Sequence, residues 1–308
     1  MNPLPPILAE ILHLALLLAA LPVLTGFLGW ADARLAGRRG PGFIAPWRAL
    51  RRLLRNQPVL AEEASPLFCH VPLARCAVLL AAAILVPSFA RFMVLAPVAD
   101  VLAIGGLLAL ARVSEILAAI DSGSGPGGAA AAHAIGRIAL LEPAMLLVLF
   151  ALAAMTGSTN LDAVSAALRE VPAGMGPVLI LLGLAMAVMT LADHGRRPFA
   201  APDAWQRDYS GRDLALIEIG DALRLLVWLN LIASLILPWG LVTAQAILDW
   251  PVGVLAWAAK IGTLAMGLAL LAAGRAVLRP DRTRELLAGA LLLGLLALVV
   301  LFAMTGGA

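Results

Sequence analysis

The composition of the chain is that of a membrane protein. Of its 308 residues, 62% are hydrophobic and 13% are charged, and the formal net charge is +3. Lys260 is the only lysine, so 21 of the 22 basic residues are arginines. Most of them lie in short segments between apolar runs, whereas a nucleic-acid-binding protein would carry them on a water-filled face. We therefore exclude a nucleic-acid partner and interpret residues 1–308 as a single integral membrane domain.

Eight apolar segments are long enough to cross a bilayer, because a hydrocarbon core of about 30 Å needs about 20 helical residues. The sequence thus predicts an all-α, polytopic transmembrane bundle. The sixth segment is the least apolar, since Glu218, Asp221 and Arg224 fall in its first half, and this leaves seven or nine spans as alternatives. The predicted spans are approximately Ile7–Leu28, Val71–Phe89, Val98–Ile120, Ala134–Met155, Gly174–Ala192, Leu214–Leu237, Val252–Leu271 and Leu286–Met304.

The first span lacks the features of a cleaved signal peptide. Such a peptide begins with a basic region and ends at a small-residue cleavage site. Here no charged residue precedes Glu10, and the apolar run continues through Pro22 to Leu28. We therefore expect a retained helix.

The arginines predict the orientation. The connections after spans one, five and seven carry fifteen arginines, while the opposite side has only Arg91 and Arg169. Because basic residues are retained in the cytoplasm, the odd-numbered connections should be cytoplasmic and both termini should lie on the outer side. Within the first connection, the stretch Trp47–Leu54 alternates apolar side chains with arginines, which predicts a short amphipathic helix in the headgroup layer.

Ionisable residues inside spans are functional candidates, because each costs several kcal/mol unless it faces a partner or water. Glu10, Arg75 and Asp100 lie near predicted span ends, where a side chain can reach the interface, so we assign them no function. Residues three apart on one helix share a face, so two sets of the other charges also fit neutralised packing pairs. The sets are Arg112 with Glu115, and Asp221 with Glu218 and Arg224. The remaining candidates are Arg112, Glu115, Arg137, Glu142, Glu218, Asp221, Arg224 and Lys260.

Two of these candidates favour a proton path. Glu142 lies in mid-span before Pro143, so its carboxylate is either paired across the bundle or exchanges protons, and we prefer the second interpretation. Lys260 lies well within span seven. A lysine can lose its proton when buried and an arginine effectively cannot, which favours a relay, although an ion pair between helices is an alternative.

Several residue patterns that can indicate a cofactor do not indicate one in this sequence. The stretch 123–128 satisfies G-x-G-x-x-G but follows a membrane helix instead of a strand, so we interpret it as a flexible connection. Cys69 and Cys76 cannot supply a four-thiolate iron–sulfur site. Only His13 lies clearly inside a span, whereas haem b needs two facing histidines. Any redox centre should therefore lie on another chain.

An ordered set of short motifs resembles formate hydrogenlyase subunit 4 and hydrogenase-4 component C, which are relatives of the H-type membrane subunit of NADH-quinone oxidoreductase (complex I). Each motif is weak alone, but the set runs through essentially the whole chain. It comprises Arg-Arg-Gly-Pro-Gly at 38–42, Ile-Asp-Ser-Gly-Ser at 120–124, Leu-Glu-Pro at 141–143, Gly-Ser-Thr-Asn at 157–160, Arg-Pro-Phe at 197–199, Asp-Tyr-Ser-Gly at 208–211, Pro-Trp-Gly at 238–240 and Lys260.

The resemblance implies a membrane subunit of a complex-I-like, energy-converting oxidoreductase of the membrane-bound hydrogenase type, in the bacterial cytoplasmic (inner) membrane. Such a subunit anchors a peripheral redox arm and couples electron transfer to proton or sodium translocation. Its implied partners are hydrogenase-like large and small subunits, an iron–sulfur subunit and antiporter-like membrane subunits, beside lipids. The chain itself would hold no cofactor, with iron–sulfur clusters and a nickel–iron site on partners; quinone is a further candidate, since the corresponding loops line a quinone chamber in relatives.

The resemblance also implies particular residues. Asp121 and Glu142 match family positions and join the proton-path candidates. The loop between Pro198 and Tyr209 is shorter than in the family and keeps only two acidic residues. The residues expected to dock the arm are Arg38, Arg39, Gly40, Pro41, Arg48, Arg51, Arg52, Arg55, Asp203 and Asp208.

Two other functions fit the same charges. In a stand-alone secondary transporter they would form a substrate or ion site, and such a protein should purify alone or as a homo-oligomer. In a purely structural anchor they would hold the helices together.

Overall fold

The computed structural model describes residues 4–38, 40, 42–59, 65–170, 173–194, 204–274 and 283–305. Within these ranges the chain is a helical bundle with one parallel two-stranded ribbon, in which Ala90 of β1 (Ala90–Arg91) lies opposite Val242 of β2 (Val242–Thr243). The described α-helices are α1 (Leu4–Leu35), α2 (Ala45–Arg55), α3 (Pro66–Leu85), α4 (Val101–Asp121), α5 (Gly125–Thr156), α6 (Leu161–Ala167), α7 (Gly176–Asp193), α8 (Gly211–Leu235), α9 (Trp250–Gly274) and α10 (Thr283–Thr305).

Seven of the described helices are long and apolar enough to cross a membrane, namely α1, α3, α4, α5, α7, α9 and α10. The 25 residues of α8 are also long enough at a rise of about 1.5 Å per residue, but the charges in its first half make it more polar. All residues from Ala222 to Leu235 are buried, so α8 is an internal helix that faces protein rather than lipid. The prediction of a polytopic bundle with about eight spans is confirmed.

The eight long helices run alternately, which defines two ends of the bundle. At one end lie the β1–β2 ribbon, α6, the start of α1 and the end of α10, and we call this end the ribbon face. There the backbone N–H of Leu95 donates to Glu10 of α1. At the other end lie α2, the end of α4 and the start of α8, and we call this end the α2 face.

The prediction of a flexible connection at 123–128 is wrong. Helix α5 begins at Gly125, nine residues before the predicted start at Ala134. Ser124 caps it by accepting a hydrogen bond from the N–H of Gly127 (3.0 Å). A proline in the first turn suits a helix start, because its missing N–H would have no partner there. The connection from α4 is therefore the tight turn around Gly123, whose φ is +61°.

The predicted amphipathic helix is confirmed, since α2 spans Ala45–Arg55 and packs against α8. Helix α6 and the ribbon were not predicted, and together they cover the ribbon face. Asn160 caps α6 by accepting from the N–H of Ala163.

Helix α8 lies against α3, α9, α1 and α7, while α10 packs against α5 and α7. Large apolar side chains such as Leu17, Phe89 and Trp228 are fully buried between the helices. Outward-facing leucines, valines and phenylalanines remain exposed on α1, α9 and α10, as expected of a surface in contact with lipid. The protein is thus a multi-pass membrane protein.

Candidate functional site

Seven charged side chains from five helices meet between the α2 face and the middle of the bundle, and we call them the charge network. It contains three guanidinium groups and four carboxylates, all inside an apolar bundle. Its members are Arg75 of α3, Arg112 and Glu115 of α4, Glu142 of α5, Asp193 of α7, and Asp221 and Arg224 of α8.

Arg75 lies at the centre of one half of the network and is completely buried. Its Nε and Nη2 donate to Glu115 Oε1 at 2.8 and 2.6 Å. The same Nη2 donates to Asp221 Oδ1 at 2.5 Å, and Nη1 donates to the carbonyl of Ile217. The interpretation of Arg75 as an interfacial residue is wrong. Helix α3 begins at Pro66, five residues before the predicted span, which moves Arg75 to the middle of the helix.

A glycine makes room for this guanidinium. A Cβ at Gly220 of α8 would lie 2.6 Å from Nη1 of Arg75, which is closer than non-bonded atoms approach. Helices α3 and α8 therefore pack with Arg75 crossing directly over the backbone of α8.

Arg224 links this half to the rest of the network. Its Nη1 donates to Glu115 Oε1 at 2.7 Å and its Nη2 to Asp221 Oδ1 at 3.2 Å. Nη1 also lies 3.9 Å from an oxygen of Asp193. Glu115 is thus held between two arginines from neighbouring helices, and its predicted partner Arg112 points elsewhere.

Arg112 organises the other half. Its Nε and Nη2 donate to the two oxygens of Asp193 at 3.0 and 3.1 Å, a forked geometry that is favourable for a guanidinium and a carboxylate. Its Nη1 donates to Glu142 Oε1 at 2.5 Å. Trp228 donates its indole N–H to Asp193 at 2.8 Å. The sequence left two arrangements open for Glu142, and the structure shows the ion pair between helices, with Arg112 of α4.

The network is a continuous chain of charges with two partly accessible ends. The side chains of Asp221 and Glu142 are 31% and 23% exposed, and the five between them are at most 8% exposed. Among the residues that the structure describes, three arginines face four carboxylates, so the carboxylates outnumber the arginines by one. An uncompensated charge is costly in a low-dielectric interior, and binding one proton would neutralise the excess. The arrangement can therefore hold a proton and exchange it near its ends.

A 3-10 helix, Ala204–Asp208, covers the network on the α2 face. Gln206 donates to Asp221 Oδ2 at 2.8 Å, and the ring of Trp205 lies 5.7 Å from the Arg75 guanidinium. Tyr209 stacks on Phe68 at 4.1 Å and donates to its carbonyl. Burial raises the pKa of Tyr209, so its hydroxyl stays protonated as the donor.

His194, at the end of α7, is a further neighbour that the sequence did not mark. One ring nitrogen lies 3.3 Å from the carbonyl of Asp221. Burial and the nearby Arg224 lower the pKa of His194. The imidazole is therefore neutral near pH 7 and adds no fourth positive charge to the network.

Three predicted proton-path residues do not join the network. Glu218 is exposed on α8. Asp121 accepts hydrogen bonds from the hydroxyl of Ser65 and the N–H of Phe68, so it helps to cap α3. Lys260 belongs to α9 and lies beside the C-terminal end of α8, away from the carboxylates of the network.

The ammonium of Lys260 contacts backbone oxygens. It donates to the carbonyls of Ala233, Leu237 and Trp239 at 3.2, 3.0 and 2.8 Å. The N–H of Leu237 donates to the carbonyl of Ile232 and not to that of Ala233. The carbonyl of Ala233 at the end of α8 therefore remains available to accept from Lys260. Lys260 thereby caps the C-terminus of α8, where a positive charge is also favoured by the helix dipole.

The predicted docking residues that the structure describes lie on the α2 face. Arg38, Arg48, Arg51, Arg52 and Arg55 are exposed, and Gly40 lies beside them in sequence. Exposed Asp208 accepts a hydrogen bond from Ser124 at 3.3 Å. Arg39, Pro41 and Asp203 lie outside the described residues.

The polytopic bundle with its buried network of arginines and carboxylates is a membrane subunit of the complex-I-like type, as comparisons with known proteins show. The family model described as NADH dehydrogenase matches residues 8–303, and the chain belongs to this family.

Relatives within the family are similar over most of their length. Formate hydrogenlyase subunit 4 of Escherichia coli (strain K12) is 29% identical over 241 residues, which is 76% of this chain and 78% of the relative. Hydrogenase-4 component C of the same organism is 30% identical over 236 residues, or 73% of each chain. The resemblance seen in the motifs is confirmed.

The fold is also found in a solved structure. A chain in the structure of the membrane-bound sulfane sulfur reductase, an archaeal respiratory membrane complex, superposes with a TM-score of 0.82 over 96% of this chain and 98% of that one. Its sequence identity is 15%, so this likeness shows the fold alone.

Proposed function

We propose that the chain anchors the peripheral redox arm of an energy-converting oxidoreductase and couples electron transfer to ion translocation, with protons as the favoured ion. The charge network carries this proposal. A structural anchor needs no buried cluster with more carboxylates than arginines, because apolar packing is often equally stable. A transport element, in contrast, needs groups that change protonation at low cost.

The two accessible carboxylates have different tasks in this proposal. Asp221, nearest the α2 face, receives three donors from Arg75, Arg224 and Gln206, which favour its ionised form. Glu142 has one described cationic partner, Arg112. Glu142 is thus the least compensated carboxylate and the natural carrier of the extra proton. Movement of the arginines between carboxylates would change which oxygen holds it.

In this proposal the α2 face is cytoplasmic and the membrane is the bacterial inner membrane, which places both termini of the chain on the outer side. The support is the excess of arginines in connections on the α2 face. Exposed arginines of α2 would then dock the arm or the lipid headgroups beside it. Hydrogenase-like large and small subunits and an iron–sulfur subunit would hold the metal centres, and antiporter-like subunits would continue the proton path.

The proton role is tested by Glu142→Gln, which keeps the shape and the hydrogen bond but removes titration. We expect the reconstituted complex to assemble and to lose most of its coupled ion translocation. Glu218→Gln is the matched control, because it removes an exposed carboxylate outside the network and should pump as wild type does. Wild-type pumping by Glu142→Gln would leave only the structural anchor.

Docking is tested by charge reversal on the exposed face of α2 at Arg48, Arg51 and Arg55, and separately at Arg38. We expect the soluble arm to detach from membranes, since the reversal replaces the positive charges that this proposal assigns to docking with negative ones. Reversal of exposed Glu170 near the ribbon face is the control and should leave the arm bound. Full co-purification of the arm with the α2 variant would show that docking lies elsewhere.

Purification distinguishes the transporter alternative. A stand-alone transporter should be isolated alone or as a homo-oligomer from its native membrane, whereas the proposed function requires iron–sulfur partners. Recovery of a fully active transporter without partners would overturn the proposal.

A further inference from the structure

A second buried polar cluster lies at the ribbon face, far from the charge network along the helices. It consists of Glu10 and His13 of α1 and Ser88, which follows α3. His13 is fully buried, and its Nδ1 lies 2.7 Å from the hydroxyl of Ser88. The carbonyl oxygens of Ala83 and Ile84 also lie close to the ring. The imidazole therefore lies among oxygen atoms of α3 and of Ser88.

Two atoms of this cluster have no hydrogen-bond partner in the described part of the chain. They are Nε2 of His13 and Oε1 of Glu10, and both are buried. The other oxygen of Glu10 accepts from the N–H of Leu95. Buried polar groups are nearly always satisfied by protein or ordered water, so two unpartnered atoms on residues one helical turn apart indicate a place for water molecules.

The spacing of the two residues makes them one site. Residues three apart on a helix lie on the same face, with Cβ atoms about 5–6 Å apart. Glu10 is one turn closer to the ribbon face and is half-buried, while His13 lies deeper. The pair thus leads from the edge of the bundle to its interior.

Charged neighbours do not account for the pair as a salt bridge. Within the described residues, neither Glu10 nor His13 forms an ion pair. The charged groups on the packed elements have other partners. Arg75 of α3 belongs to the network, Lys260 of α9 caps α8, and Asp100 caps α4 through the N–H of Leu102.

We propose that Glu10 and His13 form a protonatable, water-binding site that exchanges protons between the interior of the bundle and the aqueous phase at the ribbon face. In each exchange His13 binds a proton at Nε2 and passes it through water to the Glu10 carboxylate, which releases it. No other bond changes. The role of this site in transport rests on the proposed function, whereas its protonation does not.

Infrared difference spectra of the full reconstituted protein at stepped pH test the protonation directly. We expect a carboxylic-acid band that titrates, disappears in Glu10→Gln and shifts its midpoint in His13→Gln. Asp100→Asn is the matched control, because it neutralises another carboxylate at the ribbon face while asparagine still caps a helix. A spectrum that is the same in wild type and Glu10→Gln would overturn the site.

A second measurement needs no change at Glu10. The chain has four histidines, and replacing exposed His70 and His133 leaves only His13 and His194 in a protein labelled with ¹⁵N in its histidine rings. The His13 signal should report proton exchange at Nε2 with water, and a slowly exchanging, invariant nitrogen would contradict the proposal.

The transport role is tested separately from protonation. If Glu10 titrates in the wild type but Glu10→Gln keeps its coupled flux, the protonatable site is retained and its transport role is refuted. Loss of flux in Glu142→Gln alone would still support the proposed function.

Discussion

The guanidinium of Arg75 binds one oxygen of Glu115 through both Nε (2.8 Å) and Nη2 (2.6 Å), in the interior of an otherwise apolar bundle. The two residues belong to α3 and α4, so this contact fixes the rotation of both helices about their axes. Because Arg224 of α8 donates to the same oxygen, the contact also joins three helices at one atom. The charge network is thereby a structural element as well as a candidate proton path.

The first prediction tests whether Arg75 and Glu115 stabilise the protein as a coupled pair. Arg75→Met should destabilise the protein by about 3–5 kcal/mol, because it strands buried carboxylates. The double variant Arg75→Met with Glu115→Gln should recover part of the loss, since Arg224 can still neutralise Asp221. Thermal unfolding of the purified variants measures both effects. A loss in the double variant that equals the sum of the losses in Arg75→Met and Glu115→Gln, each measured alone, would show that the two residues are not coupled.

The second prediction concerns the close approach at Gly220. Gly220→Ala should lower stability and assembly, because a Cβ there would lie 2.6 Å from Nη1 of Arg75. Gly267→Ala in α9 is the matched control. No atom lies within 4 Å of its Cβ position, so alanine should be neutral or stabilise the helix by about 0.5–1 kcal/mol. Similar unfolding midpoints for the two variants would argue against a tight crossing of Arg75 over α8.

The sequence predicted which helices carry the charges but not how the charges pair. The three-residue spacing placed Arg112 and Glu115 on one face of α4, and this is confirmed. However, each side chain forms its ion pairs with residues of other helices. Such partners depend on the packing of α3, α5, α7 and α8, which periodicity does not encode. Asp193 was missed because it follows the predicted end of its span at Ala192 by one residue. Arg75 was misjudged because the start of α3 was predicted five residues too late.

The third prediction uses Asp162 on the ribbon face, outside the membrane-spanning helices. Its carboxylate accepts the N–H of Phe92 at 2.6 Å, and Phe92 has an unusual positive φ of 59°. Burial raises the pKa of Asp162 above its ordinary value of 3.8. The unfolded chain therefore loses this proton at lower pH than the folded protein does. Stability should fall as the pH rises from 3.8 to the raised pKa and then level off.

Two substitutions at Asp162 test this effect. Asp162→Asn keeps an acceptor for Phe92 and removes the charge, so it should abolish that part of the pH dependence. Asp162→Ala also removes the charge but leaves the N–H of Phe92 without its acceptor, at a cost of about 1–3 kcal/mol. Unfolding midpoints measured over a pH series compare the three proteins. The same slope in wild type and Asp162→Asn would assign the pH dependence to another group.

The last prediction concerns Lys260, for which the sequence favoured a proton relay. A relay requires the ammonium to lose its proton during turnover, and Lys260→Arg should then fail almost as completely as Lys260→Ala, because arginine keeps its proton. The three carbonyl contacts favour a structural cap on α8 instead. A cap requires only a cation that reaches Ala233, Leu237 and Trp239, which the donors of an arginine can supply. We therefore expect Lys260→Arg to assemble and to retain most of its coupled proton flux.

Lys260→Ala should lose assembly, because removing the ammonium leaves several carbonyls at the end of α8 without a partner in a water-poor interior, at a cost of about 1–3 kcal/mol for each unsatisfied group. Reconstitution followed by parallel assays of assembly and proton flux decides between the two roles. An arginine variant that assembles fully but no longer moves protons would establish the relay, since only loss of the lysine's titration separates it from wild type. Assembly and flux that are both retained with arginine and both lost with alanine would establish the cap, and they would confine the proton path to the charge network and the ribbon-face pair.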